Sequence, residues 1–392
     1  MPSLAQPIAL ESASALRETP MPIRLTILLV AVCLFASCSS SPRTTLATPA
    51  SRVYHGTASV GDFMTITVDS GAQTIAYTDL SNNTSATVPY TTNSDGMYAL
   101  NDPTGNLLAA YEVPNYALLI EAEKTGPSAN TPALVTAVES GQISLSTFEG
   151  QAYNYMQFRT ASGGLEVGSV SVGTGGTGSI SSFWPYGSYN QGNQGGSPFD
   201  SGTLDISAAQ VDSSGTFLKV PDPGDNGTFD YVFGTANGIF AVDTPNGAIL
   251  GLKKASGAAF DPTVAGTYKA IYYQKANAST GQGNVESGTP SLANATLTVT
   301  SGGIVTVSDS SGNQIVQGTL NPIANTSYMY NQDLSELQDP CYGLFTFRIT
   351  TPSVSQQDLF VTFMGQAMLF ASFTANLAQQ GTYTYFYGVG LK

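Results

Sequence analysis

A chain of 392 residues is long enough for two or three cores at roughly one domain per 150 residues. Its 27 acidic residues outweigh 13 basic ones to give a formal charge of -14, and no basic cluster exceeds Lys253-Lys254, which excludes a nucleic-acid-binding surface. One histidine and three cysteines exclude a multi-histidine metal centre and a cysteine cage for zinc or iron-sulfur.

The first element in chain order is an export signal. Met21-Pro-Ile-Arg24 makes a short basic lead, and Leu25 to Ala36 is an apolar run of signal-peptide length, too short to cross a bilayer core as a helix. Residues 1–20 have neither signal nor domain character, so Met21 offers an alternative start. The run ends Leu34-Phe35-Ala36-Ser37-Cys38. This resembles the lipobox of bacterial lipoproteins, in which a large aliphatic residue and two small ones precede a cysteine; here Phe35 stands where such families usually place Leu. The resemblance implies cleavage after residue 37, with Cys38 receiving diacylglycerol and becoming the acylated (palmitate-type) mature N-terminus. Several chains make such an anchor durable, where one is marginal. Taken alone, the residues also fit a secretory signal cleaved beside Ala36, or an uncleaved apolar anchor. All three place the body outside the cytoplasm, and lipidation points to the bacterial cell envelope, at the outer membrane or cell surface. Residues 38–52, opening Cys38-Ser-Ser-Ser-Pro-Arg-Thr-Thr45, read as a flexible tether.

Beyond the tether, 41 Gly, 21 Pro, 20 Tyr and 18 Phe in a chain with almost no helical periodicity describe short strands joined by turns. Three signatures recur in order. A period-2 strand appears at Thr65–Val68, Thr203–Ile206 and Thr296–Val299. An apolar strand entered through a turn appears at Pro114–Leu119, Pro245–Leu250 and Gly365–Leu369, and reads as a central strand. A Gly-led aromatic strand begins at Gly150, Gly266 and Gly381, spaced 116 and 115 residues apart. If the aromatic strand closes each unit, β modules occupy 53–160, 161–276 (with a Gly-rich insertion) and 277–392. The expected fold is all-β: three tandem β-sandwich or small-barrel repeats of about 110 residues, with a six-bladed β-propeller as the alternative.

Asp-to-Gly turns punctuate the strands at Asp102–Gly105, Asp212–Gly215, Asp243–Gly247 and Asp309–Gly312. Asp bonds the following amides and Gly supplies positive φ, so these read as hairpin turns rather than calcium loops. Asp222-Pro-Gly-Asp225 through Asp230 comes nearest to a calcium loop but lacks its closing Glu. No metal or cofactor is called for, and no catalytic residue stands out. His55, with no Gly-x-Ser-x-Gly elbow beside it, reads as a surface or edge-strand residue. Cys341 has no cysteine left in the body to pair with and reads as inert and partly buried. The glutamates, from Glu112 to Glu336, are scattered, so a carboxylate pair for glycoside hydrolysis is a question of folding alone.

The stretch Gly168–Gly178 lacks the Gly-Lys-Ser/Thr ending of a phosphate loop and reads as a strand connector. After it, Trp184, Tyr186 and Tyr189 stand among Asn, Gln and Gly. Planar aromatic faces beside amides suit stacking on sugar rings, so these three are the candidate ligand contacts. The opposing reading makes Trp184 a core plug. The function expected is a membrane-anchored, non-enzymatic envelope module, structural or binding. Its partners are the membrane through the lipid anchor and a glycan or envelope protein. The alternatives are a glycan or protein binder through the Trp184 loop, and a carboxylate-dependent glycoside hydrolase.

Overall fold

The computed structural model describes residues 51–103, 107–123, 131–159, 164–183, 199–221, 228–235, 238–245, 247–279, 284–286, 290–323, 339–351, 354–374 and 381–392. The chain is all-β. Among the described residues the only helical elements are three short 3-10 turns, and no helix is long and apolar enough to cross a membrane. The first sheet contains β1 (Ser51–Ala58), β2 (Phe63–Asp69), β3 (Thr74–Asp79), β4 (Thr84–Thr92), β5 (Tyr98–Leu100), β6 (Leu107–Val113), β7 (Ala117–Ala122) and β8 (Ala133–Glu139). The second contains β9 (Gln151–Arg159), β10 (Gly164–Val172), β11 (Thr177–Phe183), β12 (Phe199–Asp205), β13 (Gln210–Val211), β14 (Leu218–Pro221), β15 (Phe229–Gly234), β16 (Ile239–Thr244) and β17 (Gly247–Lys253). The third contains β18 (Gly266–Ser279), β19 (Asn284–Glu286), β20 (Ser291–Val299), β21 (Ile304–Asp309), β22 (Gln314–Thr319), β23 (Asn321–Pro322), β24 (Leu344–Thr351), β25 (Val354–Met364), β26 (Ala367–Thr374) and β27 (Gly381–Leu391).

All three sheets share one antiparallel plan. In the first, each strand pairs with the next and β8 returns to β1, which closes an eight-stranded barrel. In the second, β17 returns to β9, and in the third, β27 returns to β18; each of these barrels is open at one seam, between β12 and β13 or between β22 and β23. Tandem barrels therefore replace the propeller alternative. The joins fall earlier than the expected 53–160, 161–276 and 277–392, because the sheets run 51–139, 151–253 and 266–391. The aromatic strands explain the offset. Those led by Gly150 and Gly266 open their barrels as β9 and β18, while the one led by Gly381 closes the third as β27. In a circular sheet the first and last strands are neighbours, so one sequence signature serves either position.

Alternation of apolar and polar residues gives each strand an inward and an outward face. The first barrel is filled by Tyr54, Ile66, Val68, Ile75, Val88 and their neighbours. A Cβ placed at Gly56 would lie 2.9 Å from Ala137 Cβ and 3.3 Å from Ile66 Cδ1, so the interior is closely packed here. The largest apolar cluster runs between barrels. It joins Phe63 and Leu119 of the first, Met156, Phe158 and Phe233 of the second, and Tyr273, Tyr387 and Val389 of the third. Phe63 stacks on Tyr231 at 4.4 Å and Phe158 on Tyr387 at 4.4 Å. Residues 49–392 accordingly form one compact unit.

The contacts also fix direction. The Ser51 end of the first barrel meets the 212–217 turn of the second through Gln142 and Ser214, and the 364–366 turn of the third through Tyr116 and Met364. At its opposite end, Gly61 abuts Thr244 and Pro245 of the second barrel. The three barrels lie side by side with corresponding ends on the same side. Ser51 and Lys392 lie at one pole, which we call the Ser51 pole.

Candidate functional site

The expected lipidation residue Cys38 and the expected ligand contacts Trp184, Tyr186 and Tyr189 lie outside the described residues, as do Asp222 and Asp225. The strand ends flanking the tryptophan segment are described. Phe183 pairs with Phe199 across β11 and β12 at the pole opposite Ser51. Gly168–Gly178, expected to be a strand connector, is mostly strand: Gly168–Val172 belong to β10 and Thr177–Gly178 to β11, and only residues 173–176 turn between them. The turns at Asp212 and Asp309 also form as expected. Each carboxylate accepts from following amides, and Gly215 and Gly312 take φ of 76° and 83°. Asp243 does not behave this way. It sits inside β16 and is buried, because that position faces the first barrel and not solvent.

His55 is not a surface or edge residue. It lies in β1, bonded on both sides by β2 and β8 of a closed barrel, and is only 4% exposed. Its ring stacks on Phe63 at 5.8 Å and meets the edge of Phe217 at 5.3 Å. Nε2 lies 2.8 Å from Thr216 Oγ1 and 3.0 Å from Ser140 Oγ, and Nδ1 lies 3.3 Å from Thr65 Oγ1. Burial lowers its pKa from 6.5 to about 4, against a smaller opposing pull from Asp212, so the imidazole is neutral at neutral pH. Cys341 is fully buried, as its inert reading requires, and burial pushes its thiol up to about 12.

Two polar clusters gather side chains that the sequence leaves scattered. The first is inside barrel one. Glu112 on β6 receives Arg52 Nε at 2.6 Å and Nη2 at 2.8 Å, Tyr54 OH at 2.5 Å and Tyr98 OH at 2.6 Å. Tyr90 stacks on Tyr98 at 4.2 Å. Hydrogen bonding to Glu112 holds the guanidinium charged against the opposing effect of burial, while burial first, and the Glu112 charge with it, raises the Tyr54 and Tyr98 phenols. Every Glu112 oxygen is thus engaged internally. The sequence signal is faint: Arg52 and Tyr54 share the inward face of β1, and Glu112 shares that of β6 with Ala110.

The second cluster lies where barrels one and two meet. Thr57 of β1 donates from Oγ1 to Asp243 Oδ1 at 2.5 Å. Asp62 in the β1–β2 turn, Asp230 of β15 and Asp79 ending β3 act on Asp243 as neighbouring negative charges, while Tyr231 stands directly across the ladder. Asn82 Nδ2 bridges Asp62 Oδ1 at 2.7 Å and Asp79 Oδ2 at 2.9 Å. Burial, then the neighbouring carboxylates, raises Asp243 well above the usual carboxylate range despite the opposing Thr57 hydrogen bond. Among the described residues, no group of three or more His, Cys, Asp or Glu side chains is arranged to hold a metal ion.

No family model matches the chain, and no curated protein does. Among solved structures, one similar chain is a tryptophan-to-alanine mutant of the vaccine antigen transferrin binding protein B from Haemophilus parasuis Hp5. Identity is 8%, the TM-score is 0.19, and the match covers 84% of this chain and 66% of that one. The chain thus spans just under two thirds of that neighbour, and at this score the likeness carries no argument about function.

Proposed function

We propose that the chain is a lipid-anchored, non-enzymatic envelope protein that works through its outer surface. The address rests on the sequence, on the apolar run that ends at Cys38. The non-enzymatic reading rests on one structural observation: the side chains most suited to chemistry are spent inside the molecule. His55 is held among three hydroxyls, Glu112 by Arg52 and two tyrosines, and Cys341 is buried. Asp62, Asp79 and Asp243, the carboxylates nearest to the hydrolase alternative of an acid pair between modules, are 1%, 3% and 2% exposed. Those exposures leave no room for a sugar beside them. Intact mass of the N-terminal peptide from membrane fractions tests the address. An acylated Cys38 supports it, and a free terminus beyond Ser37 makes the protein a secreted one.

A second reading has a specific observation in its favour. The strands that flank the Trp184 segment in the chain end, at Phe183 and Phe199, at the pole away from Ser51. On this reading Trp184, Tyr186 and Tyr189 contact a glycan or an envelope protein. Glycan-array and envelope-lysate binding by the intact chain and by Trp184→Ala tests it. Equal binding by both removes the segment from consideration.

A further inference from the structure

The joint between barrels one and two combines features that are unfavourable separately and explicable together. Asp243 is 2% exposed, and the Thr57 hydroxyl donates to it. Among the described residues, the charged groups that act on it most, Asp62, Asp230 and Asp79, are carboxylates from three different elements. Tyr231, the titratable group opposite it, has its phenol raised by burial first and by Asp243 and Asp79 with it, and so stays neutral. A buried carboxylate in such company is tolerated when neutral and repelled when ionised. The surrounding surfaces fit by contact and not by covalent connection. Gly61, at φ +95°, lets the β1–β2 turn come so close to Thr244 O that a Cβ would sit 2.5 Å away. Phe63 enters the pocket of Phe217, Tyr231 and Phe233, and His55 closes its end nearer the Ser51 pole against Thr216.

We propose that barrels one and two are latched through protonated Asp243 and part along the β1–β16 contact when Asp243 loses its proton. The latch is shut at lower pH. The parted state exposes the Phe63 pocket, an apolar surface that the closed protein hides.

Because the open state releases the proton, rising pH favours it. Between the ordinary carboxylate value and the raised value of the closed state, the open population grows about tenfold per pH unit. His55 works in the opposite sense below its ordinary value of 6.5, since its buried form sheds a proton. A comparison that holds His55 constant therefore isolates Asp243. Hydrogen exchange of the full chain, corrected for intrinsic rates, is to be followed between about pH 5 and pH 8 in wild type and Asp243→Asn. The expected result is that exchange in segments 57–63 and 239–244, taken as the ratio of wild type to variant, climbs about tenfold per unit and then levels. A ratio that stays constant overturns the proposal. If the Asn variant does not fold, Thr57→Val serves. Losing the hydroxyl that favours the ionised carboxylate extends the climb to higher pH than in wild type, and a climb that levels at the same pH refutes the latch.

Discussion

At the scale of single residues, this protein places its ionisable groups where they must be matched or kept neutral. Glu112 and Arg52 are matched. Removing one partner from a buried pair leaves the other charge uncompensated, so Glu112→Ala is expected to lose about 3 to 5 kcal/mol of stability, read from urea midpoints at constant slope. Replacing both by apolar residues is expected to cost far less. His55 is kept neutral. Its folded value of about 4 lies below the unfolded 6.5, so the native state holds fewer protons. Stability from this residue is complete above pH 6.5 and is lost as pH falls toward 4, by about 3 kcal/mol in all. His55→Gln is expected to flatten that acid limb in a pH series of thermal melts; an unchanged limb would assign it to the carboxylates. Neither environment is legible from the chain, because Thr216 is 161 residues from His55 and Glu112 is 60 from Arg52. Cys341 was readable because an unpaired thiol with no basic neighbour has few alternatives to burial.

At the scale of elements, β18 decides how the third barrel can be cut. It bonds β20 along one edge and β27 along the other, from Gly266 through Ser279. A fragment of 277–392 lacks most of that strand and is expected to melt broadly. A fragment beginning near residue 256 keeps it and is expected to recover strand signal in far-ultraviolet circular dichroism. Even so, that longer fragment exposes Tyr273, Tyr387 and Val389, which pack against the other barrels, and is expected to melt below the whole chain. Equal midpoints would show the barrels to be independent. The repeated apolar strand entered through a turn located central strands correctly: β7, β17 and β26 all have neighbours on both sides. The period-2 signature was less constant, landing on second strands at β2 and β20 but on the seam strand β12 in the middle barrel. Alternation reports that a strand has one buried face and carries no information on its place in a circular sheet.

At the scale of the whole molecule, the shared direction of the three barrels separates the pole of Ser51 and Lys392 from the pole of Phe183 and Phe199. Cys38→Ala is expected to move the protein from the membrane pellet to the soluble fraction, and retention in the pellet with unchanged migration would reject lipidation. The all-β class was legible from glycine, proline and aromatic content. The fusion of the barrels was not, because the aromatic residues that build it occupy strand positions indistinguishable in sequence from those that fill a barrel interior: Phe158 and Tyr155 lie three residues apart, yet one packs on barrel three and the other faces Glu166. Closure of the first barrel has a mechanical meaning. Ser51 begins a strand clasped by β2 on one edge and β8 on the other. Antiparallel ladder bonds run across the strand direction, so a pull on Ser51 along β1 loads both ladders in shear at once and does not peel them bond by bond. On the proposed lipidation, the anchor would therefore pull on the strand that two ladders hold against being drawn out.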